Sequence, residues 1–415
     1  MSESALRVVR GRLLQPHPTK PSFTLVPDAL VHIDEAGRFT SVAPAPPDCT
    51  VPETWPGAVI LPGFVDAHLH FPQTEILGSA SGPLLPWLQT SVFPEESRFG
   101  ERAYAEHVAA TFCSAMLRQG TTLAGIYSSS HPVATEVLFE ELDHRGMRAL
   151  TGVTWMNRGA PDALLRGTAE AVAATEALVE RWHGHDGRLR VAVTPRFALS
   201  CDAEMLRAAG ELAERHGLWV QTHLSENPDE LKFTAEAFPG AHDYLDIYED
   251  VGLVHDRSIL AHCIHLSDSE WGRLAAQGAV VAHCPDSNFF LGSGCMPLAR
   301  ALSEGVRVAL GTDVGAGRTF SLRRVAASAY DASLVVGAPV APEALLWLAT
   351  RGGAVALGAG DAVGCLAPGY DADLVAIEAP ATPDLARLVD ALLFRHDAGP
   401  ALATVIRGRM RWGQA

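Results

Sequence analysis

The chain has 415 residues, a formal net charge of -16, 48% apolar residues and 19% charged residues. That length and apolar content exclude a disordered chain and allow one large domain plus a small one. The acidic balance, with no basic stripe to meet phosphates, excludes a general nucleic-acid binder. No run of about 18 apolar residues suggests a membrane span, and no signal peptide precedes Leu6. The seven cysteines are scattered, odd in number and without a CxxC pair, which reads as a reduced thiol set. A soluble, cytoplasmic protein is expected. Lysine occurs only as Lys20 and Lys232, a bias of composition rather than a mark of function.

In chain order, short β-like pieces come first, at residues 5–14, 29–33 and 39–42, separated by Pro-rich turns and Asp34-Glu35-Ala36-Gly37. At the far end, residues 370–377 and 403–411 read as further strands. The segment Val8-Val9-Arg10-Gly11-Arg12-Leu13 is echoed by Val405-Ile406-Arg407-Gly408-Arg409-Met410. The echo is read as both ends contributing strands to one small β-sandwich domain, residues 1–58 plus 364–415.

Between them, residues 59–363 alternate strand-like and helix-like segments. Eight strands are expected at 59–70, 121–128, 147–155, 189–199, 218–224, 258–263, 279–284 and 306–312. Helical patterns fill the gaps, as with Leu206, Ala209, Leu212 and Ala213, or Val108, Phe112, Ala115 and Met116. Eight strand–helix units point to an α/β fold, a parallel (β/α)8 TIM-like barrel. A doubly wound open sheet permits the same alternation. The barrel is favoured because polar residues recur at strand C-terminal ends, where such barrels keep their chemistry.

Those ends supply His68 and His70 on the first strand, Arg196 on the fourth and His223 on the fifth. His262, His283 and Asp313 follow on the sixth, seventh and eighth. A lone histidine is ordinarily a core or surface residue, and a carboxylate at a strand end often caps a helix. Repetition at one register of successive strands argues for a site instead. Residues two apart on a strand point the same way, so His68 and His70 form half a metal site. Three histidines and a carboxylate suit zinc, with iron or manganese as alternatives. A bound ion lowers the pKa of its water toward ~7. Hydrolysis also needs a proton carrier, and Glu226, in the loop after His223, can stand above the metal. The competing reading is that Glu226, before Asn227-Pro228, only starts the next helix. No HExxH helix and no second thiol beside Cys284-Pro285 is present, so other zinc frameworks are not matched. No lysine lies on the fourth strand to bridge two metals, so one metal is expected.

The first-strand motif Pro62-Gly63-Phe64-Val65-Asp66-Ala67-His68-Leu69-His70 resembles the PGxxDxHxH of the amidohydrolase superfamily. The stretches that follow are similar to the guanine deaminase family within it: Phe71-Pro72-Gln73, Leu84-Leu85-Pro86-Trp87-Leu88 and Phe93-Pro94-Glu95-Glu96. Thr194-Pro195-Arg196-Phe197, Thr222-His223-Leu224-Ser225-Glu226, Ala261-His262-Cys263, His283-Cys284-Pro285-Asp286-Ser287-Asn288 and Gly311-Thr312-Asp313 match in order.

The resemblance implies that His68, His70, His223 and Asp313 hold one divalent metal, most simply Zn2+, with Fe2+ as the substitute. It implies that Glu226, His262 and Asp313 are catalytic, His262 touching the metal's water and Glu226 shuttling protons. Gln73, Arg196 and Phe197 would hold a small-molecule purine, with Trp87 walling the pocket or merely packing. Gln73 offers a donor and an acceptor to a purine edge, and Arg196 suits a ring carbonyl. The reaction implied is hydrolytic deamination of guanine to xanthine and ammonia. Other aminated heterocycles (8-oxoguanine, a pterin, cytosine, a triazine) stay open, as does a scaffold without chemistry. The resemblance also implies a homodimer. Asp286 departs from the usual Asn of HCPxSN without consequence for the mechanism, and His265, His131, His283 and Tyr127 receive no role.

Overall fold

The computed structural model describes residues 5–80, 82–395 and 399–414. Strands from both ends of the chain form one seven-stranded sheet. The N-terminal side contributes β1 (Val8–Pro16), β2 (Phe23–Ile33), β3 (Phe39–Pro44) and β4 (Ala58–Pro62). β1 alternates half-buried and buried positions along most of its length, as a strand with one face on a core does. Its inward residues Val9 and Leu13 pack with Val31, Phe39, Leu374 and Val405.

The expected strand 59–70 is two strands. Pro62 cannot donate to a ladder, and Gly63 N turns aside to Asp373 O at 3.1 Å, so β4 ends there. β5 (Phe64–His70) then starts a second sheet. Pro62-Gly63 marks the interruption in the sequence, but both halves are buried throughout and read as one strand.

The second sheet continues through β6 (Thr121–Tyr127), β7 (Arg148–Gly152), β8 (Thr154–Trp155), β9 (Leu189–Pro195) and β10 (Trp219–Leu224). It ends with β11 (Ser258–His262), β12 (Val280–His283) and β13 (Arg307–Leu310). The order β13-β12-β11-β10-β9-β7-β6-β5 is parallel throughout, with β8 added beside β9. Among the described residues this is a nearly closed barrel of eight principal parallel strands, as the alternation predicted. No ladder joins β13 to β5. Instead Asp313 N donates to His68 O at 2.8 Å, and His70 N donates to Val314 O at 2.7 Å. The barrel thus closes at its C-terminal mouth, through residues that the sequence marked as functional. Small and branched side chains fill the interior, among them Val65, Ala67, Leu150, Ala192, Ala261 and Ala282.

The helix Ala203–His216 buries Leu206, Ala209, Leu212 and Ala213 as its periodicity predicted. Asp202 caps its start by accepting from Met205 N. The helix Arg102–Arg118 buries Val108, Phe112 and Met116, with Cys113 and Leu117 rather than Ala115 completing the face.

The chain returns to the first sheet through β14 (Leu374–Glu378), β15 (Ala403–Ile406) and β16 (Arg409–Gly413). β14 pairs antiparallel with β4, so the two chain ends meet there. The sequence echo is not a structural repeat. Val8 to Leu13 lies inside a strand, whereas Arg407 and Gly408 are the two positive-φ residues of a hairpin turn between β15 and β16.

Candidate active site

Four donor atoms converge where the barrel closes. His70 Nε2 lies 3.2 Å from His68 Nε2 and 3.3 Å from His223 Nε2. Asp313 Oδ1 lies 3.4 Å from His68 Nε2 and 3.3 Å from His70 Nε2. Donors each about 2.0–2.1 Å from a tetrahedral centre stand about 3.3–3.4 Å apart, so these spacings fit one divalent ion. All four residues are buried.

Their protonation fits the same use. Burial pushes His70 down to about 3. Burial and the neighbouring imidazoles hold His223 well below its ordinary value. Burial raises Asp313, but its contacts with His68 and His70 outweigh that and hold it well below the carboxylate range. Neutral imidazoles and an ionised carboxylate are the ligating forms. His223 Nδ1 donates to Arg196 O at 2.6 Å, which fixes the tautomer and leaves the Nε2 lone pair facing the cluster.

The backbone here is held unusually. Six non-glycine residues among those described have left-handed φ, and four of them, Ser225, His262, Cys263 and Asp313, stand at this mouth. Such conformations cost energy and persist where surroundings enforce them. Asp66 enforces one. It accepts from Thr312 N at 3.0 Å and Thr312 Oγ1 at 2.6 Å, tying β5 to the segment after β13. Gly311 permits the approach, because a Cβ there would lie 2.9 Å from His68 Cβ and Cys284 Sγ.

Glu226 is not spent on starting a helix. The helix Pro228–Ala237 is capped by a box made of Asn227 and Glu230. Glu230 also accepts from Glu226 N at 2.8 Å and from the Tyr244 hydroxyl at 2.7 Å. The Glu226 side chain therefore projects into the cavity, with Oε1 accepting from Ser293 Oγ at 3.2 Å and Oε2 3.4 Å from His262 Nε2. Burial, then the charges of Asp313 and Glu230, raise its pKa well above the ordinary value. His262 donates from Nδ1 to Asn288 Oδ1 at 2.9 Å, so Nε2 is the atom turned toward Glu226 and Asp313.

One cavity reaches this cluster and the expected base contacts together. Gln73, Trp87, Arg196 and Phe197 line it with His70, His223, Glu226, His262 and Asp313. Gln73 is already engaged, donating from Nε2 to Glu96 Oε1 at 3.0 Å and accepting from Gly315 N at 3.2 Å. One amide hydrogen and one lone pair remain for a ligand. Arg196 pairs through Nη1 with Glu96 Oε2 at 2.8 Å. Trp87 both packs and lines the cavity, its indole N–H donating to Ser79 O at 3.0 Å.

Sequence reasoning gave no role to Glu96, Asn288, Ser293 or Glu230, all of which touch these residues. Glu96 and Asn288 stood inside quoted motifs; the other two carried no signal. His283 is not brought to the donor cluster. It alternates along β12 with the interior residues Val280 and Ala282, and both its ring nitrogens are buried without a partner. His265 donates from Nε2 to Ser293 O at 2.8 Å, holding the residue that bonds Glu226. His131 Nδ1 lies 2.8 Å from Ser129 Oγ, and the Tyr127 ring packs on His68, His70 and His223. Asp286 accepts from Arg318 N at 2.7 Å and Nη2 at 2.6 Å, fastening the loop that follows Asp313.

The family profile described as Amidohydrolase family matches residues 59–410. Guanine deaminase of Escherichia coli is 37% identical over 394 residues, 92% of this chain and 90% of its own. A probable guanine deaminase of Deinococcus radiodurans is 40% identical over 422 residues, 97% of this chain and 91% of its own. The solved guanine deaminase of C. acetobutylicum, which has guanine bound in its active site, superposes with a TM-score of 0.91. It is 29% identical, and the match covers 98% of this chain and 99% of that one. With the barrel, the donor cluster and the motifs in this order, the chain belongs to the amidohydrolase family and, within it, to the guanine deaminases.

Proposed function

We infer that the protein hydrolyses guanine to xanthine and ammonia at the mouth of the barrel. The observation that carries this reading is one cavity shared by the donor cluster, Glu226 and the Gln73–Arg196–Phe197 wall. His68, His70, His223 and Asp313 are assigned to one divalent ion, zinc by the chemistry of three imidazoles and a carboxylate, with iron as the substitute. When bound, such an ion polarises a water and makes its proton easier to remove.

This chain's own residues do the rest. Phe197 and Trp87 give the purine an apolar slot. Arg196 donates to the ring carbonyl, and Gln73 presents its remaining donor and acceptor to a base edge. Glu226 Oε2 accepts a proton from the attacking water and passes one to the ring nitrogen beside C2, which makes that carbon electrophilic. His262 Nε2 and Asp313 orient the water toward C2. The water's oxygen bonds to C2. Glu226 then takes the remaining proton of that hydroxyl and gives it to the amine, so the C2–N bond breaks as the carbonyl forms, ammonia leaves and Glu226 is ionised again. A carboxyl whose pKa is raised suits a group that must both accept and give a proton. No member of the ligand or proton-carrying set is missing, which speaks against a scaffold without chemistry.

The testing experiment measures ammonia release from guanine, 8-oxoguanine, cytosine and adenine, with metal analysis on the same preparation. Guanine is expected to be turned over fastest. Adenine, whose amine is on C6 and which lacks the carbonyl for Arg196, is expected to be inert. A preference for another member of this panel would reassign the substrate and keep the hydrolase. Cytoplasmic location is part of the reading and is supported by seven cysteines free of disulfides. Assembly as a homodimer, checked by sedimentation, belongs to it as well.

A further inference from the structure

Glu96 ends the short helix Phe93–Glu96 and is 1% exposed. Its two carboxylate oxygens are divided between two side chains from different parts of the mouth. Oε1 accepts from Gln73, just past β5, and Oε2 pairs with Arg196, just past β9. A buried carboxylate is costly unless paired, and this one is satisfied by the two polar groups assigned to the base.

Two consequences follow from that division. Gln73 is held at both ends, by Glu96 at Nε2 and Gly315 at Oε1, so its amide cannot flip and its free donor and acceptor have fixed directions. Arg196, 4% exposed, has its cation balanced inside the pocket. Guanine is neutral at physiological pH. Xanthine is the stronger acid and becomes an anion in mildly alkaline solution. An unbalanced buried guanidinium would grip that anion, because charge-assisted bonds to Arg are strong where water is excluded.

We propose that Glu96 is a positioning and specificity residue: its carboxylate sets the directions of Gln73 and Arg196 and keeps the base pocket electrically neutral, so that neutral guanine is admitted and the product is released in either charge state. The proposal rests on the guanine reading above. Besides Glu96, the titratable groups facing Arg196 are His68 and His70 at the end of β5, Tyr127 at the end of β6 and Glu226 after β10. These are unchanged in a Glu96 variant, so a comparison with the parent isolates Glu96.

Glu96→Gln keeps the shape, removes the charge and replaces one acceptor by a donor facing Gln73 or Arg196. Xanthine dissociation constants are measured by equilibrium dialysis on metal-loaded protein, below and above the first ionisation of xanthine, alongside guanine kcat and KM. In the parent, xanthine affinity does not rise across that ionisation. In Glu96→Gln it rises by about tenfold or more, as an unpaired buried cation requires. Guanine KM rises by about tenfold while kcat changes by less than about threefold, the signature of lost binding rather than lost chemistry. Glu96→Asp, which keeps the charge but shortens the reach, raises KM without creating the response to ionisation. If Glu96→Gln does not fold, the double variant E96Q/R196M removes the pair together; it is expected to raise guanine KM and to show no gain of xanthine affinity on ionisation. A xanthine response and a guanine KM that match the parent in E96Q, or a parental KM in the double variant, would overturn the proposal. A parent that releases no ammonia from guanine would instead refute the guanine reading, and does so without reference to any Glu96 variant.

Discussion

The two halves of the cavity are built from different materials. In the reactive half, every assigned group lies at a barrel strand end or within three residues of one. Backbone hydrogen bonds tie it, from Asp313 N to His68 O and from His70 N to Val314 O, and Glu226 N donates to the Glu230 carboxylate. In the base-holding half, Gln73, Trp87 and Glu96 come from the long connection between β5 and β6. Side chains join Gln73 to Glu96 and Glu96 to Arg196, while Trp87 packs with Phe93 and Phe197. A shift of one residue in β5 or β13 would scatter the donor cluster, whereas a side-chain change in the connection would redraw only the pocket wall. On the proposed reading the strand ends carry the hydrolysis, and the long connection, with Arg196 and Phe197 after β9, carries the choice of heterocycle, the division of labour expected when chemistry sits on strand ends and loops vary.

Breaking the reactive half has the largest expected effect. Asp313→Ala removes one of four donors and leaves three neutral imidazoles. Metal analysis should find sub-stoichiometric metal, and guanine turnover should fall by at least about a thousandfold. A variant that keeps a full metal complement would remove Asp313 from the ligand set. Breaking the other half is milder. Trp87→Ala opens the slot and should raise guanine KM by roughly tenfold with kcat nearly kept, as for loss of ground-state binding. A collapse of kcat with an unchanged KM would place Trp87 on the reactive side.

Near neutral pH the smallest effect is on stability, and it lies outside both halves. Burial holds His283 at about 3 against an ordinary 6.5, and neither nitrogen has a partner. As pH falls below 6.5 the unfolded chain binds a proton that the folded chain refuses, until the folded value of about 3 is reached. Stability is thus full above that window and is lost through it by about 1.4 kcal/mol per pH unit. Denaturant unfolding should show His283's share of the acid slope, and His283→Leu should reduce the slope by that share. An equal slope in the variant would contradict the account.

How legible each part was in the sequence follows from the range of the interactions concerned. The donor cluster was readable because PGxxDxHxH, His223 and Asp313 each sit at a strand end marked by local pattern, and alternation alone aligns those ends. Glu96 was not. It stands beside Glu95, which has the same chemistry but pairs with Arg98 three residues on, and only the tertiary fold sends one inward to Gln73 and Arg196. The same holds for Asp286, whose consequence is an arginine brought to it by the barrel, Arg318. β4 and β5 read as one strand interrupted at Pro62-Gly63 because both faces of both are covered, and the echo at 405–410 read as strand because its residues suit a strand as well as a turn. His283 received no role although it lay at the same register, and the fold keeps it apart from the donor cluster.

The most direct test of the claim that this mouth is one deaminating site is Glu226→Gln, assayed for bound metal and ammonia release on one preparation. Glutamine keeps the shape beside Ser293 and His262 and cannot carry the proton. The account predicts the parent's metal content with guanine turnover reduced by about 10²–10⁴, the range for a positioned acid–base group. Near-parental turnover with metal in place would contradict it.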